Sequence, residues 1–93
     1  MELAYPMPGP SRGVRLLKWA VPPDADGLEF ELALFDSEGR QASSIGRGVA
    51  RAGRFEREVS FRSDRGDALR SGVYFVRLRI GTRELSRMMI VGR

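Results

Sequence analysis

Alternation of apolar and polar side chains at every second residue is the feature that most constrains what this chain can fold into. The pattern is clearest over residues 28–35, where four apolar side chains share one face of an extended segment: Leu28, Phe30, Leu32 and Leu34. Glu29 and Glu31 fall on the opposite face. No window of about eleven residues keeps the apolar spacing of an amphipathic helix without a glycine. The pattern therefore predicts a half-buried antiparallel strand here.

Other segments of the chain have the composition of strands. They are residues 3–5, 14–21, 45–50, 54–61, 73–80 and 84–91. We expect the first to be an edge strand at most, because prolines follow it closely and cannot donate to a ladder. In residues 14–21 we expect Leu17, Trp19 and Val21 to point inward, since tryptophan gains most from burial. In residues 54–61, Phe55, Val59 and Phe61 share a side with the charged Arg57.

The last two segments form a predicted hairpin around a turn at Gly81-Thr82. One face of the first strand is apolar throughout and comprises Tyr74, Val76, Leu78 and Ile80. The other face mixes Val73 and Phe75 with Arg77 and Arg79. The closing strand contains consecutive apolar residues, so that either Met88 and Ile90 or Met89 and Val91 point inward. Together the segments predict an all-β domain over residues 1–93, a two-sheet antiparallel β-sandwich of about seven strands.

Composition excludes several kinds of chemistry. The chain contains neither cysteine nor histidine. Disulfides, thiolate metal sites and a Ser-His-Asp triad are therefore impossible within it. The carboxylate side chains occur in turns or alternate outward on strands. We therefore expect no enzyme activity, no metal and no cofactor. Asp24-Ala25-Asp26-Gly27 and Arg65-Gly66-Asp67 match fragments of a calcium loop and an adhesion tripeptide, but we expect both to be solvated turns.

The charge of +4 at pH 7 derives almost wholly from arginine, with Lys18 as the single lysine. Basic and acidic residues are interleaved, a pattern that does not favour nucleic acid but allows an anionic partner or surface. No apolar run approaches the roughly 18–20 residues that a transmembrane helix needs. The first residues lack the features of a signal peptide, so export would need a signal upstream in a longer parent protein.

Several short motifs are similar to those of a known family. A Y-P-x-P-x-P start at Tyr5 is followed by L-A-L-F-D-S-E-G-R, by R-A-G-R-F-E-R-E-V-S-F and by S-G-V-Y-F-V-R-L. In this order they resemble the C-terminal Ig-like sorting domains of type IX secretion cargo and the related Ig-like domain of the flagellar hook-capping protein. The residues that define the resemblance best are Asp36, Gly39, Arg40, Gly72 and Tyr74. Met7 and Arg87 replace an asparagine and a lysine common in the family, and Phe61 fills an aromatic position.

The resemblance implies an immunoglobulin-like, fibronectin type III-like fold. It also implies a non-catalytic C-terminal module of a secreted or surface-attached bacterial protein that passes through the periplasm. The partner would be an outer-membrane export machinery. We expect the docking surface on the final hairpin, at Val73, Phe75, Arg77, Arg79, Arg83 and Arg87. The alternatives are a structural assembly module, hook-cap-like or self-associating through strand edges, and a carbohydrate-binding sandwich.

Overall fold

Eight strands and one short 3₁₀ helix form the regular structure in a computed structural model, which describes residues 1–9, 14–60 and 62–92. The strands are β1 (Glu2–Leu3), β2 (Met7–Pro8), β3 (Val14–Val21), β4 (Glu29–Asp36), β5 (Gln41–Val49), β6 (Gly53–Ser60), β7 (Gly72–Ile80) and β8 (Arg83–Val91). The 3₁₀ helix covers Pro23–Ala25 between β3 and β4. Within these ranges, no helix has the length and hydrophobicity required to cross a bilayer.

Two antiparallel sheets pack face to face. In the first sheet β3 is central, with β6 on one side and both β1 and β2 on the other, so that β1 and β2 act as one interrupted edge strand. The second sheet has the order β5-β4-β7-β8. The first sheet therefore has three strand positions, and it packs against the four strands of the second sheet. The predicted all-β fold, a two-sheet Ig-like and fibronectin type III-like sandwich, is confirmed.

The core lies between the sheets and draws on both. The fully buried large side chains are Leu17, Leu32, Leu34, Val76, Leu78 and Ile80. Each such side chain contributes about 1.5–3 kcal/mol relative to an exposed one, which makes this layer the main source of stability. The inward face predicted for β7 is confirmed in full, because Tyr74 is buried in the core together with Val76, Leu78 and Ile80.

Two details of the strand predictions need correction. Leu28 lies before β4 and is exposed, because it belongs to the tight connection in which its N–H donates to the carbonyl of Ala25. β5 is longer than the predicted segment and begins at Gln41. The inward face predicted for β3 is confirmed: Leu17 and Val21 are buried, and the half-buried Trp19 packs against the core and stacks on Phe55 with ring centroids 5.8 Å apart.

β6 is an edge strand, since it pairs only with β3 among the described strands, and its side chains are mostly exposed. This edge position explains how Arg57 can share a side with Phe55 and Val59: its guanidinium lies beside Gly46 on β5, an edge strand of the second sheet. The prediction for Phe61 lies outside the described residues.

The turn between β7 and β8 settles which residues of β8 face inward. Ile80 pairs with Arg83, and Gly81 has φ 60° at the first position of the two-residue loop, as a type II′ turn requires. The even-numbered residues of β7 then pair with the odd-numbered residues of β8. Met89 and Val91 are accordingly buried, whereas Met88 and Ile90 are exposed on the outer face.

Asp36 organises the turn between β4 and β5. One of its carboxylate oxygens accepts hydrogen bonds from the backbone N–H groups of Glu38 and Arg40, both at 2.9 Å, and the other accepts one from Arg40 Nε at 3.0 Å. These bonds, led by the one from the Arg40 backbone, lower the pKa of Asp36. Gly39 supplies φ 84°, which a residue with a side chain rarely adopts. These three motif residues therefore have a folding role.

Tyr74 anchors the connection that precedes β7. Its ring is buried and its hydroxyl donates to the carbonyl of Arg70 at 2.8 Å. A tyrosine near the start of this strand that bonds back to the preceding corner is a hallmark of immunoglobulin-like sandwiches. Gly72, with φ 154°, leads the chain into the strand opposite Val91.

The elongated sandwich has two poles. The first pole contains the connection from β3 to β4 and the β7–β8 turn, which Arg83 and Asp24 join by two hydrogen bonds of 3.1 and 2.6 Å. The second pole contains the start of β7 and the end of β8, where Arg15 donates to the carbonyl of Ile90 at 3.3 Å. One contact at each pole therefore connects the two sheets at their rim.

Candidate functional site

The six residues predicted as a docking surface do not all share one face. Val73, Phe75, Arg77 and Arg79 project from β7 on the outer face of the second sheet, as predicted. Arg83 and Arg87 pair with the inward-facing Ile80 and Val76, and so they lie on the opposite side of β8. The predicted surface is therefore divided between two sides of the hairpin.

Arg83 and Arg87 have structural partners. Arg83 forms the ion pair with Asp24 at the first pole, which lowers the pKa of Asp24 and raises that of Arg83. The Arg87 guanidinium lies over the Tyr5 ring, 5.3 Å from its centroid, and donates to the carbonyl of Ser86 at 2.9 Å. Arg83 therefore joins the hairpin to the connection between β3 and β4, and Arg87 joins it to the segment between β1 and β2. Neither can extend the cationic part of the outer face.

A cluster of apolar side chains, all exposed except the half-buried Phe35, occupies the outer face instead. We call it the apolar zone; it comprises Phe35, Val73, Phe75, Met88 and Ile90. The exposed fractions are 38% for Val73, 37% for Phe75, 49% for Met88 and 61% for Ile90. Phe35 pairs directly with Phe75, and Phe75 with Met88, so the cluster is continuous across three strands. Contiguous exposed apolar side chains are typical of protein contact surfaces.

A band of alternating charge lies beside the apolar zone. It crosses the sheet in the order Arg47, Glu31, Arg79 and Glu84, one residue from each strand. Arg77 lies between the two regions: its guanidinium is 4.0 Å from the centre of the Phe35 ring and bonds to Glu31 at 3.4 Å. The same carboxylate binds Arg79 at 3.5 Å. The charges of this face are therefore largely balanced, and its distinctive feature is apolar.

β8 is the edge of the second sheet and pairs only with β7 among the described strands. In a two-residue hairpin, the residues that flank the turn form a hydrogen-bonded pair, and such pairs recur at every second position. The N–H and carbonyl groups of the odd-numbered residues of β8 therefore bond to β7. Those of the even-numbered residues, from Glu84 to Ile90, point to the free edge. The bonds that the carbonyls of Ser86 and Ile90 accept from arginine side chains agree with this orientation.

The two sequence fragments that match ligand motifs have structural explanations. Asp24 binds Arg83, and Asp26 accepts a hydrogen bond from the backbone N–H of Ala52 at 2.7 Å. Gly66 adopts φ 87° in a turn in which Ser63 N–H donates to the carbonyl of Asp67. Over the described parts of the chain, no group of three or more acidic, histidine or cysteine side chains could hold a metal ion.

Comparison with known proteins assigns no family. Neither the family models nor the curated proteins give a match to the chain. Its function must therefore be argued from the outer face and the free edge of the second sheet.

Sequence reasoning missed part of this site. Phe35, Met88 and Ile90 belong to the apolar zone but were not among the predicted docking residues. The signal was available, because a two-residue turn at Gly81-Thr82 fixes the pairing of β7 with β8. That pairing places Met88 opposite Phe75 and directs Arg87 to the other side.

Proposed function

We propose that the chain is a non-catalytic C-terminal sorting module of a larger exported bacterial protein. An outer-membrane export machinery of the type IX class would recognise it through the outer face of the terminal hairpin. The protein would reach the secreted or cell-surface state through the periplasm, with a signal peptide upstream in the parent protein. The motif resemblance suggests the pathway, and the apolar zone suggests the contact surface.

The apolar zone is the observation that supports docking best. Its side chains expose apolar surface because they occupy outward-facing positions of β4, β7 and β8. Aromatic residues and methionine are enriched at protein interfaces, and Phe75 and Met88 lie at the centre of this cluster. We therefore infer a protein partner with an apolar centre to its binding surface. The balanced band of charge would select the orientation of that partner and does not favour nucleic acid.

The test is a fusion protein expressed in a bacterium with type IX secretion. In it, a periplasmic signal peptide comes first, and residues 1–93 are joined to a reporter protein whose export is measured. We expect the wild-type module to deliver the reporter to the medium or the cell surface. Phe75→Glu combined with Ile90→Glu should leave the reporter in the periplasm, because the charges oppose burial of the apolar zone. Val49→Glu is the matched control, since Val49 is exposed on β5, remote from this cluster.

Export that is equally efficient for all three fusions would show that the apolar zone does not dock. Retention of the wild-type fusion would contradict the sorting function itself. Purified samples of both variants should unfold at the same urea concentration as the wild type, which separates loss of recognition from loss of folding.

A second candidate function is structural assembly through strand edges. The observation that favours it is the row of backbone groups directed outward along β8, from Glu84 to Ile90. An edge strand with apolar side chains on its exposed face can add a strand from a neighbouring molecule. Light scattering across a concentration series tests it: a mass that stays at one subunit would contradict assembly.

A further inference from the structure

We propose that β8 pairs with β8 of a second copy of this chain, antiparallel and in a register centred on Met88. The inference rests on the second candidate function and specifies its partner and geometry. It would join the two second sheets into one continuous sheet of eight strands. The sorting function would remain possible in such a dimer, because the outer face of each hairpin stays exposed.

The edge has the backbone groups that such pairing requires. The N–H and carbonyl groups that point away from β7 belong to Glu84, Ser86, Met88 and Ile90, all of which carry exposed side chains. Among the described residues, only arginine side chains bond to two of these carbonyls, those of Ser86 and Ile90. In an antiparallel pair these groups would bond to the same groups of the second copy. Because these groups occur at every second residue, a twofold-symmetric pair must be centred on a residue and not between two residues.

The side chains select Met88 as the centre. In this register Met88 faces Met88 of the second copy, and Ile90 faces Ser86 of the second copy on the same side of the sheet. On the other side Leu85 faces Val91 of the second copy, and Arg87 faces Met89. No pair between residues 84 and 92 opposes two like charges. A centre at Ser86 would instead set Glu84 against Met88 and separate the two apolar zones.

Only the members of the apolar zone on β8 would contact their counterparts in the second copy. The cluster is continuous from Phe35 to Met88 but ends where the sheet ends, at its most exposed members on β8. Pairing centred on Met88 would bring the two clusters together across the twofold axis. Phe75 and Met88 of one copy would then lie in one row with Met88 and Phe75 of the second copy. The combined area is small for a stable dimer, so the association is expected to be weak.

Two arginines compete with this pairing. Arg87 and Arg15 donate to the carbonyls of Ser86 and Ile90, which would have to accept backbone N–H groups of the second copy. Replacing Arg87 with alanine removes one competitor. Since a single exchanged hydrogen bond changes an equilibrium by roughly two- to tenfold, Arg87→Ala should tighten the dimer by about that factor.

The first experiment is sedimentation analysis of the full chain from about 10 μM to about 1 mM, the range where weak association is measurable. We expect the average mass to rise with concentration. Ser86→Pro should abolish the rise, because it removes an N–H that points to the free edge without removing a bond to β7. Ser86→Thr is the matched control and should associate like the wild type. Trp19 fluorescence verifies that both variants fold.

A second experiment tests the register independently of whether the proline variant folds. The chain has no cysteine, so one introduced thiol is unique. Met88→Cys should form a disulfide-linked dimer on mild oxidation, because opposed residues of an antiparallel pair have Cα atoms about 5.5 Å apart. Glu84→Cys, displaced along the strand from its counterpart, should crosslink at least tenfold more slowly.

A wild-type chain that stays monomeric throughout would overturn both assembly and this dimer. A chain that associates but crosslinks equally through the two introduced cysteines would overturn the register centred on Met88 and leave assembly standing. Association of Ser86→Pro at the wild-type level would overturn pairing through β8. The reporter fusion separates these outcomes from the sorting function. Export of a monomeric Ser86→Pro fusion would support sorting by the single module, whereas retention of every fusion would contradict sorting alone.

Discussion

Tyr74→Phe isolates one hydrogen bond in the connection before β7. The ring is 8% exposed and stays in place in this variant, so the packing against the core is unchanged. The variant loses only the 2.8 Å bond from the hydroxyl to the carbonyl of Arg70. The bond is part-buried and Arg70 itself is exposed, so the freed carbonyl does not incur the full penalty of a deeply buried unpaired group. We expect a loss of about 0.5–1.5 kcal/mol in the free energy of unfolding.

For a domain of this size, each kcal/mol lowers the melting temperature by roughly 4–8 °C. Urea unfolding followed by fluorescence of Trp19, the single tryptophan, measures the same loss as a lower midpoint with an unchanged slope. Tyr5→Phe is the matched control, since Tyr5 is the other tyrosine and its hydroxyl is exposed. Equal midpoints for the two variants would refute the reasoning. A changed slope would mean that the substitution alters more than one bond.

Three further predictions concern the core and the β4–β5 turn. Leu78→Ala should lower the free energy of unfolding by about 2–5 kcal/mol in urea unfolding, because Leu78 is fully buried between the sheets; a loss below about 1 kcal/mol would contradict this packing. Asp36 has a lowered pKa in the folded protein, so its stabilisation is complete above about pH 4 and disappears as pH falls through the lower folded value. Thermal melts should accordingly show Asp36→Asn less stable than the wild type at pH 7, with the difference shrinking toward pH 2; a constant difference would exclude the ionic contribution. Gly39→Ala should lower the free energy of unfolding by about 1–2 kcal/mol. The loss comes from backbone strain alone, because a Cβ at this position meets no neighbouring atom. Gly92→Ala is the control and should have the melting temperature of the wild type.

Much of the fold could be predicted from the sequence because most strands have one solvent-exposed face and one buried face. β7 shows this best: Leu78 and its neighbours at every second position are buried, and the residues between them are outside. β5 could not be predicted in the same way. Ser43 and Ile45 alternate with more exposed neighbours, but one of these two buried residues is polar and no apolar alternation extends along the rest of the strand. The pairing with β4 is also irregular at two places. As an edge strand with glycines it also lacks the apolar composition of its neighbours.

The candidate site was predicted only in part for a different reason. The sequence shows which residues of β7 face outward, but the closing strand has four apolar residues in a row and no alternation. Its orientation depends on pairing with β7, which the turn at Gly81 determines. Arginines near each other in the chain therefore came to lie on opposite sides: Arg79 contacts Glu31, whereas Arg83 reaches Asp24.

The two poles have a mechanical consequence. Glu2 pairs with Ala20 near the first pole, and Val91 pairs with Gly72 at the second, so tension between these ends would act along the strands. Such loading shears a row of backbone bonds together and does not peel them apart one after another. A module attached to cargo at one end and held by a receptor at the other would resist rupture in the direction of the pull.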